Sequence, residues 1–364
     1  MAAPKTTIWP AEPHTLAKHE ILRAYLGAWF PILARYHGRL VYLDGFAGPG
    51  RYSNGEDGSP IIALKVATNH RASLDSELVF IFVEAEKARA AHLRDHEIPA
   101  LAPPTHFKTQ VHHGQFEPVL RDAMDRLDAK GDAMAPTFAF IDPFGISGLP
   151  FSLIERLLRR QHCETLITFM TSTVERFVAQ LPEHVNELIG NSQASEIIAR
   201  SSDRVVVART MYEKSLRRVA KFVRFFQLRN VAGRPIYDLF FASNDATGHE
   251  KMKEAMWKVD ESGDYSFSDG ADPEQQILFS ATPGPDLAPM LWRHFRGKAV
   301  YAEDVYRHVS DTAYLEKHAR DALRVLENAA PSAGKQIEVA LFKRDDSKRR
   351  AGTFPRDALI RFSS

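Results

Sequence analysis

Short apolar runs alternate with stretches of helical periodicity over the first half of the chain, and that alternation leaves few folds open. Leu40–Leu43, Leu78–Val83, Phe107–His112, Thr137–Ile141 and Thr165–Met170 read as strands. Leu16–Tyr36 carries apolar residues at helical spacing (Leu22, Leu26, Trp29, Phe30, Leu33). Further helices are predicted at IIALKVA, with Ser59 as its N-cap and Pro60 as its first residue, at Glu86–His96, at Glu117–Ala129 and at Pro150–Arg160. Strands separated by helices predict βαβ units: an α/β fold with a parallel sheet and helices on both faces.

The pattern then changes. Val174–Val219 is mostly helical. Phe222–Leu228 and Ile236–Ala242 are joined by RNVAGRP, with Gly233 in the turn, and predict an antiparallel hairpin ending the sheet. Lys251–Val259 reads as a helix. Residues 262–285 turn to Gly, Ser, Asp and Pro, a linker composition. Beyond it, helices at Met290–Phe295, Ala302–Ser310 and Leu315–Ala329 precede strands at Ile337–Phe342 and Leu359–Phe362, which flank the basic loop KRDDSKRRAGTFPR. Helices followed by a two-stranded wing are a winged-helix-like layout. The expected division is an N-terminal helical extension (1–36), an α/β domain (37–261) with a helical insert near 174–219, the linker, and a winged-helix-like domain (286–364).

Composition narrows the function classes. The 364 residues carry a formal charge of +1, so any nucleic-acid binding must come from a local basic face. No apolar run reaches the roughly 18 residues a membrane span needs, and MAAPKTTIWPAEPH lacks the pattern of a secretory signal. A cytoplasmic location and no membrane partner are expected. The single cysteine, Cys163, excludes an intrachain disulfide and a cysteine-based metal cluster. The histidines show neither H-x-E-x-H nor H-E-x-x-H spacing, so no metal site is expected.

The loop LVYLDGFAGPGRYSNGEDGSP, Leu40–Pro60, follows the first strand. A phosphate-binding P-loop needs Lys and Ser or Thr after its glycines; Arg51-Tyr52 stand there instead. The spacing of Gly45, Gly48 and Gly50 is the reverse of a dinucleotide fingerprint, and RYSNGEDG intervenes before the helix, which weakens a nicotinamide-dependent oxidoreductase reading. D-x-F-x-G-x-G instead resembles the first motif of S-adenosylmethionine (SAM) methyltransferases, whose last strand is antiparallel. That resemblance implies that Gly48 and Gly50 admit the zwitterionic methionine tail and that Asp44 bonds its amino group. Glu84, rather than the helix-leading Glu86, would take the ribose hydroxyls, and Gln115 or Phe116 would read the adenine. Asp142-Pro143-Phe144, at the end of the fourth strand, resembles the (D/N)-P-P-(Y/F) motif of amino-methyltransferases with one proline fewer. In that motif the acid and the next carbonyl accept from an exocyclic amine while the ring stacks on the base. The plain alternatives are a tight Gly/Pro turn, a helix-leading acid, and an Asp-Pro turn with Phe144 in the core.

Taken together, HTLAKHEILRAYLGAW, YLDGFAGPGRY with GSPIIAL, FVEAE, FAFIDPFGISGLPF and KMKEAMWKVD resemble the three-Cys-motif partner protein family, TcmP. The resemblance implies a separate cysteine-rich, radical-SAM-like partner. More distantly, the chain is similar to ribosomal RNA adenine-N6 methyltransferases, which carry a comparable LKH, a D-x-x-A-G-x-G-R-Y loop and D-P-P-Y. That similarity implies that Lys18 and His19 face the cofactor or substrate pocket; the plain alternative is a solvated first helical turn with His14 capping. RRVAKFVRFFQLR mixes cations and aromatics, but Phe222, Phe225 and Phe226 on a strand read as core. Lys343, Arg344, Lys348, Arg349 and Arg350 form a basic wing suited to a phosphate backbone. The resulting expectation is a SAM-dependent enzyme that N-methylates a nucleobase in RNA or DNA. Its rival is a non-catalytic nucleic-acid-binding partner of the cysteine-rich protein.

Overall fold

The computed structural model describes residues 6–270, 283–329, 336–340 and 347–363. The chain divides into two compact units, 1–259 with 266–272, and 260–265 with 273–364. In the first, β1 (Arg39–Asp44), β2 (Glu77–Glu84), β3 (Phe107–His113), β4 (Thr137–Ile141), β5 (Cys163–Phe169), β6 (Phe222–Arg229), β7 (Pro235–Ser243) and β8 (Ser266–Ser268) form one sheet of order β3-β2-β1-β4-β5-β7-β6-β8. The pairs from β3 through β5 are parallel. β7 is antiparallel to both β5 and β6, and β8 runs parallel to β6. β4 and β5 are buried along their whole length, which is why they read as unbroken apolar runs.

The helices of this unit are α1 (Pro13–Ala34), α2 (Ser59–Thr68), α3 (Lys87–His92), α4 (Ile98–Leu101), α5 (Phe116–Lys130), α6 (Phe151–Leu158), α7 (Thr171–Phe177), α8 (Pro182–Ile189), α9 (Ala194–Arg200), α10 (Arg204–Arg217) and α11 (Ala246–Val259). Three local details differ from the sequence reading. Gly58, not Ser59, caps α2; Ser59 is a buried helical residue whose hydroxyl bonds Asp44 instead. The helix expected over Glu86–His96 passes through a π turn at Leu93–Glu97, which sets Leu93 against Gly50 and lets Glu97 reach Arg51 at 3.0 Å. Ser266–Ser268, within the expected linker, is a short sheet strand paired with β6, with Phe267 as its one apolar residue.

The second unit contains α12 (Pro283–Phe295), β9 (Ala299–Tyr301), α13 (Ala302–Ser310), α14 (Glu316–Glu327), β10 (Ile337–Val339) and β11 (Leu359–Phe362). Its small antiparallel sheet has the order β10-β11-β9. Leu287, Leu291, Val305, Leu323, Ile360 and Phe362 belong to one core. Lys348 and Arg350 are exposed, but Arg349 departs from the solvated basic wing expected of it. Its guanidinium is buried and donates to the carbonyls of Ala340 (3.2 Å) and Thr353 (2.7 Å) and to Glu327 (2.6 Å). Lys343 and Arg344 lie outside the described residues.

At the amino end of β5 a buried carboxylate ties α1 to the sheet. Glu164 accepts from Tyr25 Oη (2.7 Å), Trp29 Nε1 (2.8 Å) and Ser243 Oγ (2.6 Å). Gly248 packs closely beside it: a Cβ there would lie 2.1 Å from Glu164 Oε1, so the carboxylate would have to shift. Glu164→Ala strands three buried donors and is expected to cost about 3 kcal/mol or more, whereas Glu164→Gln keeps an acceptor and costs less. Urea unfolding of the two variants checks this; an unchanged midpoint for Glu164→Ala contradicts it.

Candidate functional site

The strand order reverses direction at β1: β2 lies on one side of it and β4 on the other, so their connections leave to opposite sides and open a crevice at the carboxyl ends. Register fixes what meets there. Asp44 pairs with Phe140, and the Gly45 amide donates to the Phe140 carbonyl at 2.9 Å. Asp142 follows β4 directly, so it leaves the sheet beside Asp44. On the other side the Ala47 amide donates to the Val83 carbonyl at 2.9 Å, bringing the glycine loop over the end of β2.

Asp44 is fully buried. It accepts from the Phe46 amide and the Tyr42 hydroxyl, each at 3.3 Å, and from Ser59. Burial pushes its carboxyl up to about 7; these hydrogen bonds oppose the rise and nearby Asp142 adds to it. Glu84 accepts from the Gly48 amide on one oxygen (2.8 Å) and from the Glu86 amide on the other (2.7 Å). It therefore anchors the loop, while each oxygen keeps a further lone pair. The loop glycines answer first to the protein itself. Gly48 and Gly50 have φ of +63° and +92°. A Cβ on Gly50 would meet Leu93 at 2.8 Å, and one on Gly45 would meet the Phe116 ring at 2.6 Å. Phe116 is accordingly a buried residue packed on Gly45 and Phe46, while Gln115, at the N-cap of α5, is exposed.

Beside these acids lies a cavity of about 300 Å³, lined among others by Trp9, Lys18, Tyr52, Asp142, Phe144 and Tyr237. The first turns of α1 face inward: His14, Lys18 and His19 are all buried. Lys18 Nζ is ion-paired with Asp142 and sits 5.2 Å from the centre of the Tyr237 ring. His14 pairs with Asp269 (2.8 Å) rather than capping the helix, and Glu12 is the N-cap. The segment before α1 closes the cavity. Trp9 meets Tyr52 at 5.7 Å and Phe144 at 5.9 Å, edge to face, with Arg89 4.7 Å from its ring centre. Burial pushes the Tyr52 and Tyr237 phenols up, with Asp142 adding to it, so both stay protonated donors.

His19 and Thr168 each carry a buried polar atom, Nδ1 and Oγ1, without a hydrogen-bond partner among the described residues. Burial, and then the Lys18 charge, lower the His19 imidazole to about 3 against the opposing pull of Asp142, so it is neutral at pH 7.

The structure thus brings together Lys18, His19, Asp44, Gly45, Gly48, Gly50, Glu84, Asp142, Pro143 and Phe144. Lys348, Arg349 and Arg350 belong to the second unit. Sequence reasoning missed Trp9 and Tyr237. Trp9 precedes every periodic segment, and Tyr237 reaches the cavity only because β7 inserts beside β5. Among the described residues no helix is long and apolar enough to cross a membrane, and no cluster of three His, Cys, Asp or Glu is placed to hold a metal ion.

The lowered His19 imidazole has a signed consequence. The unfolded chain takes up this proton below about pH 6.5 and the folded chain does not, so stability falls as pH drops from there towards 3. His19→Asn removes that term. Between pH 7.5 and 5.0 the stability of the parent minus that of the variant should fall by about 2 kcal/mol, read by denaturant unfolding at each pH. A difference that does not move with pH contradicts a neutral, desolvated His19.

No family model and no curated protein match the chain. Among solved structures, a Legionella pneumophila Philadelphia 1 protein described under the family model DUF519 is similar at 13% identity, over 66% of this chain and 91% of that one, with a TM-score of 0.39. A possible exported protein of Bordetella parapertussis is similar at 13% identity, over 64% of this chain and 70% of that one, with a TM-score of 0.31.

Proposed function

We propose that the first unit binds SAM at the carboxyl ends of β1 and β2 and transfers a methyl group to an exocyclic amine of a nucleobase, with Asp142 as the acceptor that orients the amine. The observation carrying this is the register that seats Asp142, which lines an aromatic-walled cavity, beside the buried Asp44. The 3-2-1-4-5-7-6 strand order with an antiparallel seventh strand, and the motif resemblances to TcmP and to ribosomal RNA adenine-N6 methyltransferases, support the same reading. In this reading the second unit is a winged-helix-like module.

The donor set suits the cofactor. SAM presents an ammonium and two ribose hydroxyls as donors, and Asp44 and Glu84 are acceptors. Asp44 is a desolvated carboxylate whose hydrogen-bond donors are all neutral. Bound there, SAM supplies an electrophilic methyl group. The protein's part is positional. Asp142 and the Pro143 carbonyl accept from the amine, which turns the nitrogen lone pair towards the methyl group. Phe144 and Trp9, which line the cavity, offer ring surface to the base. A nitrogen that has gained a methyl group carries one proton too many, and Asp142 is the acceptor that would take it. A base within a duplex must first be flipped out.

One observation favours the non-catalytic rival. Lys18 already sits on Asp142, so an incoming amine must displace its ammonium or use the other oxygen. An adaptor for a cysteine-rich partner would keep that pair closed. Transfer of label from methyl-labelled SAM to total RNA or DNA separates the two readings. The enzyme reading expects incorporation by the parent and a loss of at least about 100-fold in Asp142→Ala. Equal incorporation by both removes Asp142 from the chemistry, and none by either, with nucleic acid still bound, supports the adaptor.

A further inference from the structure

In the second unit a cleft of about 540 Å³ lies between α14 and the loop from residue 348 to 356. Six cations line it: Arg320 and Arg324 from α14, and Lys348, Arg349, Arg350 and Arg356 from the loop; among the described residues no carboxylate lines it. Arg320 and Arg324 are one helical turn apart and share a face. Among the described residues three acids, Glu316, Asp321 and Glu327, pair with four of the six cations, which leaves a local excess of three positive charges. Glu316 alone serves both Arg320 and Arg356. Arg324 is paired with Asp321 and donates to the Gly352 carbonyl at 3.1 Å. Arg320 and Arg356 both pack on the Tyr306 ring, 5.6 and 5.8 Å from its centre. Arg320, Arg324 and Arg356 are therefore already held by protein partners before any ligand arrives, while Lys348 and Arg350 are exposed.

We propose that this cleft is a phosphate-backbone binding surface, with Arg320, Arg324 and Arg356 as its fixed contacts and Lys348 and Arg350 as its exposed ones, and that its partner is a nucleic acid held without base readout. The aromatic residues argue for backbone over base. Tyr306 and Phe354 are each only 4% exposed and offer no free ring to stack on. Nor, among the described residues, does any exposed large apolar side chain line the cleft, as insertion into a lipid surface would require. The inference rests on the nucleic-acid target proposed above, but not on methyl transfer.

The test is fluorescence anisotropy with the full-length chain, without SAM, against a single-stranded RNA and a duplex DNA of equal length, over a salt series. Two double variants are compared with the parent: Arg320→Gln with Arg324→Gln, and Lys348→Glu with Arg350→Glu. The second pair is exposed, so its loss does not depend on packing. Arg121→Gln with Arg126→Gln on α5 is the control. Each cleft variant should bind about tenfold more weakly, with a salt slope shallower by roughly one to two, while the control binds like the parent. Cleft variants that bind both nucleic acids as the parent does overturn the proposal. So does a parent that binds neither, or variants that lose only binding to anionic vesicles or to polyglutamate. Loss of binding in the cleft variants stands whether or not the chain proves to transfer methyl groups, so the two readings fail separately.

Discussion

Everything proposed for the first unit depends on the parallel pairing of β1 with β4. A parallel register fixes which residues leave the two strands side by side, and here it delivers Asp44 and Asp142 to one crevice. Had β4 paired elsewhere, the glycine loop and the Asp-Pro turn would be unrelated features. The crossover rule behind this arrangement is general, but what sits at the strand ends is specific to this chain. The amino end of β5, at the opposite end of the strands, serves stability, with Glu164 gathering three donors from α1 and β7.

The crevice concentrates negative charge where water is scarce. Asp44 and Glu84 are buried and Asp142 is largely so, with Lys18 the cation paired to one of them. The cost of burying Asp44 appears as a carboxyl raised to about 7. The same exclusion of water holds the His19 imidazole down to about 3. A cationic ligand would relieve the first of these strains. That is the physical link between the fold and the proposed cofactor, and it does not need the loop glycines, whose bareness is used by Leu93 and Phe116.

Much of the sheet was legible because strands buried on both faces read as continuous apolar runs, as in FAFI and TLITF. β8 was not, since three residues with a single apolar side chain, Phe267, carry no readable period. Ser59 was assigned as a cap from local chemistry, whereas Asp44, fifteen residues earlier in the chain, claims its hydroxyl. Arg349 illustrates the same limit for charge: a basic run reads as uniformly solvated, yet one member turns inward to Glu327 and two carbonyls. The acids at the strand ends could be named from their positions alone. The walls of the cavity could not, because Trp9 and Tyr237 arrive from opposite ends of the first unit's sequence.

The central claim is that Asp44 faces a cationic cofactor, and calorimetric titration with SAM in buffers of different ionisation enthalpy tests it most directly. Because the Asp44 carboxyl is raised to about 7, a cation seated beside it should expel on the order of half a proton at pH 7. The account predicts submillimolar binding whose observed enthalpy varies with the buffer, with that dependence lost in Asp44→Asn. Absence of binding, or binding with the same enthalpy in every buffer, would contradict it.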